Sequence, residues 1–164
     1  MMISRMCAVL LGTTIAALLA THAGAQDAKP TPKETAAIRG CVAKNAKDDT
    51  DKAERLCVLK LVATPCTNRP QSKSTVAIAD CYRVEQAIWE DILAENLKAL
   101  TAELDDAQKD KLKAMQEAWV TSRERTCAFY YDKIQGTMAT ISGAACAAQE
   151  TARRALLVKA FQGL

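Results

Sequence analysis

The sequence predicts an all-α fold: a small disulfide-stapled helical bundle with a central antiparallel helix hairpin. Three observations carry this reading. The stretches from Ser74 to Leu100 and from Asp105 to Tyr130 place apolar residues near helical spacing. Alternating β-branched runs are missing throughout. Six cysteines beyond residue 26 fall as three consecutive pairs, and each pair brackets a break between helical stretches.

Residues 1–25 stand apart from the fold. Arg5 is their only charge, Met6 to Ala20 is mostly apolar, and Ala23-Gly24-Ala25 is a small-residue cleavage pattern. This reads as a signal peptide cut before Gln26, with cleavage after Ala23 the weaker option. An uncleaved anchor is disfavoured because the apolar run is about 15 residues where a membrane helix needs about 20. The mature chain of 139 residues is enough for one core. The expected organisation is a leader at 1–25, an N-terminal helical pair at 26–65, and a helical domain at 66–164 that forms one compact unit with the pair.

The elements follow in order. Thr31-Pro32-Lys33-Glu34 is a helix start, with a hydroxyl cap, proline in the first turn and glutamate closing the box. That helix runs to about Ala46. The polar break from Asp48 to Asp51 caps a second helix carrying Leu56, Cys57, Leu59 and Leu61, which Thr64-Pro65 ends. Asn68 to Ser72 is loop, and Ser74 caps a long helix reaching Leu100. After a turn near Thr101 to Leu104, Asp105 opens the next helix with Gln108 at the box position. Gln135-Gly136-Thr137 breaks it, and Thr137 caps a last helix to about Ala160, weakened slightly by Gly143.

Composition excludes more than it assigns. The single histidine, His22, lies in the leader, so the mature chain has no imidazole for acid–base, nucleophilic or metal chemistry. An even count of six cysteines, Cys41, Cys57, Cys66, Cys81, Cys127 and Cys146, in an exported chain implies three disulfides and no thiolate left for zinc. No Cys-x-x-Cys and no phosphate-binding glycine loop occur. The expectation is therefore a non-enzyme with no cofactor and no metal. After leader removal, 21 Lys and Arg face 19 Asp and Glu, a balance that points to neither nucleic acid nor stable membrane insertion.

The cysteine spacings of 16, 15 and 19 residues favour Cys41–Cys57, Cys66–Cys81 and Cys127–Cys146 as staples across helix–loop joints. Six cysteines allow 15 pairings, so spacing favours this pattern without proving it. In the hairpin turning at Leu104, Cys81 lies level with Cys127, Glu85 with Arg123, and Trp89 with Trp119. A structural Glu85–Arg123 ion pair and facing tryptophans are the expectation. Trp89, Glu90, Trp119, Glu124 and Arg154 are the candidate binding residues. Against that stands the plainer reading: tryptophans filling the core, Arg153-Arg154 as a solvated pair, and Glu85, Glu90, Asp91 and Glu95 as carboxylates on one helix with no concave site.

The stretch from Cys66 to Leu157 resembles the LprI-like lysozyme-inhibitor family of exported bacterial proteins. The resemblance rests on Thr75, Cys81, Glu85, Trp89, Glu90 and Leu93, then Gln116, Trp119, Arg123, Glu124 and Cys127, then Gly136-Thr137, Cys146, Thr151, Arg154 and Leu157. The chain departs from the family's pattern at Ala94, Leu97 and Glu124, where Asn, Tyr and Asp are usual. The segment holding Cys41 and Cys57 looks like an addition that only some relatives carry. The resemblance implies a small helical, disulfide-linked protein of the periplasm or the secreted fraction that binds lysozyme or another envelope protein. The alternative is a structural or stress-related envelope factor with no lysozyme partner.

Overall fold

The computed structural model describes residues 29–46, 49–162 and 164. The expected leader at 1–25 and Asp48 of the first break lie outside these residues. Among the described residues the chain forms six helices and no strand: α1 (Pro32–Asn45), α2 (Thr50–Cys57), α3 (Ala63–Thr67), α4 (Thr75–Glu103), α5 (Asp106–Lys133) and α6 (Met138–Phe161).

Most helix starts follow from local chemistry. Thr31 and Glu34 make the reciprocal capping box of α1, and Asp105 and Gln108 make that of α5. Asp49 accepts from Lys52 N at α2, and Ser74 accepts from Ala77 N at α4. Each such cap contributes about 1 kcal/mol by satisfying an orphan N–H. Thr137 differs from expectation: it precedes α6, but its hydroxyl makes no cap bond, and the turn is made by Gly136 at φ 86°.

The second helix is the largest departure. The sequence predicts one helix through Leu61, ended by Thr64-Pro65. Instead α2 stops at Cys57, Leu59 takes a left-handed φ of 61°, and α3 forms with Pro65 inside it. Proline is tolerated there because the N–H it lacks would have no helical partner in the first turn. The bend is held from another helix: the Glu85 carboxylate of α4 accepts from Leu59 N at 2.6 Å and Ala63 N at 2.8 Å.

The bundle is organised around α6, which packs most extensively on α4 and next on α5. Its buried face is rich in small residues, Ala139, Gly143, Ala144, Ala148, Ala152 and Ala155. These let the backbone of α4 approach closely. Gly143 also leaves room for the Tyr131 ring of α5, whose Cε2 lies 2.8 Å from where a Cβ would stand. Asn96 of α4 donates to Ala155 O, and Gln162 just beyond α6 donates to Asn96 O, so the two helices run together toward one end. The α5 helix runs against both. The predicted central hairpin of α4 and α5 is therefore present in direction but not in packing: the two helices scarcely approach each other, and each packs instead on α6.

One core joins the N-terminal helices to the rest. Ile38 and Val42 of α1 and Ala53 and Cys57 of α2 share a buried cluster with Ile88, Trp89 and Ile92 of α4 and Ala152, Leu156 and Val158 of α6. Burying each large apolar side chain contributes roughly 1.5–3 kcal/mol. The disulfides Cys41–Cys57, Cys66–Cys81 and Cys127–Cys146 link α1 to α2, α3 to α4 and α5 to α6, with Cα–Cα separations of 5.8, 5.6 and 5.5 Å. This is the sequential pairing that the spacings favour. The α1 helix is further tied to α4 by a two-pronged Arg39–Glu95 ion pair at 2.6 and 2.7 Å.

Candidate functional site

The residues singled out by sequence separate into two constellations on two faces of α4. Positions 85 and 90 are five apart, about 140° around the helix axis at 100° per residue. Glu85 therefore points to the α2–α3 bend, and Glu90 points to α5.

The first constellation is structural. Glu85 is fully buried and accepts a third hydrogen bond, from Trp89 Nε1 at 3.1 Å, one helical turn along. Trp89 is also fully buried and belongs to the core. Neither reaches solvent. Trp89 is therefore not the surface anchor proposed among the candidate binding residues. The expected Glu85–Arg123 ion pair does not form either, because main-chain donors of α2–α3 hold the Glu85 carboxylate on the face away from α5.

The second constellation lies along the seam of α5 and α6 and reaches α4. On α5, Gln116, Trp119 and Arg123 follow at three- and four-residue spacing and share a face. On α6, Thr151 and Arg154 are three apart and both buried. The short turn at Gly136 sets these helices antiparallel, so their residues meet as successive rungs. The Cys127–Cys146 bridge is the first rung, Arg123 Nη1 donating to Thr151 Oγ1 at 3.0 Å is the second, and Arg154 Nε donating to Gln116 Oε1 at 2.9 Å is the third. The Thr151 hydroxyl in turn donates a hydrogen bond to Ala147 O at 2.7 Å.

Trp119 sits among these groups with its ring taken by two guanidinium groups, Arg123 at 4.8 Å and Arg154 at 5.6 Å from the ring centroid. Trp119 is partly buried and packs against the core cluster that holds Trp89. Each cation–π contact contributes about 0.5–2 kcal/mol, more where water is excluded. Arg123 also meets the exposed Glu90 carboxylate at 3.5 Å, and Glu90 accepts from Gln86 Nε2 at 2.8 Å. Arg123 thus has a carboxylate partner on α4, one full turn and more along from the predicted one.

Arg154 overturns the expectation of a solvated Arg153-Arg154 pair. Arg153 stays at the surface between Glu54 and Glu150. Arg154 is 6% exposed, and burial pushes its guanidinium below its ordinary value. Glu124 is exposed and borders a shallow groove with Arg83, Gln86 and Tyr131, apart from the ring of Trp119. Among the described residues no group of three or more His, Cys, Asp or Glu could hold a metal ion. No described helix is long and apolar enough to cross a membrane.

Sequence reasoning placed Glu85, Trp119 and Arg123 among the key residues but missed their partners. Gln116 and Thr151 become partners once the register is counted about Gly136 rather than Leu104. The two backbone N–H donors to Glu85 carry no side-chain signature, and only the unforeseen bend at Leu59 brings them to it.

No curated protein and no solved structure matches the chain. A family model, described as lysozyme inhibitor LprI, matches residues 66–156. The matched span opens at the Cys66–Cys81 staple and contains Glu85, Trp89 and every rung of the α5–α6 seam. It covers more than half of the chain, and the protein belongs to the LprI lysozyme-inhibitor family.

Proposed function

We propose that the protein is an exported, non-enzymatic binding module that inhibits lysozyme. The observation that carries this reading is the family match across residues 66–156. The chemistry agrees with it: all six cysteines beyond the leader are in disulfides, and the only histidine of the chain is His22. The leader at 1–25 would direct the chain out of the cytoplasm, where these disulfides can form. In this reading 26–65 is a stabilising addition to the helical domain at 66–164.

The surface we assign to the partner is the outer face of α4 and α5 bearing Glu90 and Glu124, both exposed. Animal-type lysozymes are strongly basic, and acidic groups on the inhibitor raise the rate of encounter. The net charge of the whole chain would not do this, so the effect must be local. Glu90 is held in place by Gln86 and Arg123, and the Trp119 ring supports the Arg123 guanidinium.

A lysis assay tests the proposal. Purified oxidised protein, titrated into lysozyme acting on bacterial cell walls, should abolish lysis near one equivalent. Glu90→Lys with Glu124→Lys should weaken that inhibition tenfold or more without changing the fold. Full lytic activity at a large excess of folded protein, across several lysozyme types, would refute it.

A further inference from the structure

The α5–α6 seam carries an imbalance of charge that lysozyme inhibition does not account for. Two guanidinium groups flank the Trp119 ring, at 4.8 and 5.6 Å, and the nearest carboxylate, Glu90, touches only one of them, at 3.5 Å. Arg154 is the buried one. Its Nε donates to Gln116 Oε1, while its Nη2 is shielded from solvent and finds no acceptor among the described residues. A buried guanidinium with an unsatisfied donor is costly, and the face of an indole offsets only part of that cost.

We propose that this seam is a binding site for a single carboxylate, which takes the Nε–Nη2 edge of the Arg154 guanidinium beside Trp119 once the Gln116 amide turns away. The guanidinium is a planar fork that matches the two oxygens of a carboxylate. One negative charge would balance the unpaired cation, whereas a phosphate dianion would overshoot it and lose more hydration on entry. Gln116 is half-buried and is the one side chain hydrogen-bonded to Arg154. Rotation of its amide would uncover the fork and let its own NH2 group donate to the ligand. The proposal is independent of lysozyme inhibition, since a free acid or a side chain of another protein presents the same chemistry.

The experiment is an NMR titration of oxidised, isotope-labelled protein with sodium acetate replacing sodium chloride at constant ionic strength. The Arg154 Nε–Hε and Trp119 indole signals should shift together and saturate. Arg125→Met, at an exposed position of α5, should keep the response. Arg154→Met should abolish it while the protein remains folded by its amide spectrum, and Arg154→Lys should weaken acetate at least tenfold. Inorganic phosphate at the same concentration should give no saturating shift. Blocked aspartate, N-acetyl-aspartyl amide, repeats the titration as a protein-like source. Tighter binding of it than of acetate assigns the site to a protein side chain, and the reverse assigns it to a free acid. The absence of a saturating shift with either probe, or an unchanged response in Arg154→Met, would overturn the proposal.

Discussion

Removing the Glu85 carboxylate should destabilise the fold more than any surface substitution. The side chain is fully buried and accepts from Leu59 N, Ala63 N and Trp89 Nε1 at 2.6, 2.8 and 3.1 Å. Glu85→Ala leaves these three donors without an acceptor, each costing about 1–3 kcal/mol when buried. Leu59 also loses the bond that steadies its left-handed backbone, a conformation costing roughly 1–2 kcal/mol for a non-glycine residue. Against these losses, the variant no longer takes a carboxylate out of water, which returns several kcal/mol. The net expectation is about 3–4 kcal/mol of lost stability. Glu85→Gln keeps the shape but turns an NH2 group toward a backbone N–H, and about 2 kcal/mol is expected. Urea unfolding of the oxidised protein, followed by tryptophan fluorescence, reads both as shifts in midpoint at constant slope. Amide exchange should show the loss locally, with Leu59 and Ala63 losing protection first. A change within about 0.5 kcal/mol for Glu85→Ala, the range of an ordinary surface substitution, would refute the reasoning.

Non-reducing peptide mapping should return Cys41–Cys57, Cys66–Cys81 and Cys127–Cys146 and no other linkage. Replacing one pair by serines should cost on the order of 3 kcal/mol in the chain-entropy picture for loops of this length. Gly143→Ala gains about 1 kcal/mol of helix propensity but displaces the Tyr131 ring, so it should be near neutral alone and stabilising by about 1 kcal/mol in a Tyr131→Ala background, by urea midpoint. Acid should loosen α1 before the other helices. Partial burial pushes the Glu34 carboxyl up, but hydrogen bonds from Thr31 and Arg69 outweigh it and leave it below the usual value. The Arg39 hydrogen bond holds Glu95 low as well. Their contribution is therefore fully present above the unfolded carboxylate value of 4.5 and is lost as pH falls through the lower folded values. Protection factors of α1 amides, corrected for the intrinsic slowing of exchange in acid, should fall at pH 3 relative to pH 6, and less so in Glu34→Gln with Arg39→Ala.

The fold was legible where local chemistry decides it. The caps at Thr31, Ser74 and Asp105 and the break at Gly136 follow from single residues, and the disulfides follow from where the breaks fall. The bend after Cys57 was not legible. Leu56, Leu59 and Leu61 look like a helix continuing, and the group that stops it, Glu85, lies 26 residues away in sequence. The site was half legible. The hairpin register about Leu104 correctly picked Arg123 as an interhelical residue. It assigned the wrong partner because α4 and α5 scarcely pack on each other: both lie on α6, so residues level in a two-helix hairpin do not meet face to face. The same reasoning about Gly136 yields Arg123 with Thr151 and Arg154 with Gln116. Arg154 misled for another reason: an Arg-Arg dipeptide reads as surface, but adjacent helical residues point 100° apart, so one can be solvated while its neighbour is buried.

Binding calorimetry of the oxidised protein with purified lysozyme tests the central claim most directly. A saturable isotherm with one lysozyme per chain, weakened by added salt and lost when the disulfides are reduced, is the expected result. The salt dependence follows from an acidic face meeting a basic partner. No heat of binding at micromolar concentrations for any of several lysozyme types, with the protein shown to be folded and oxidised, would contradict the account.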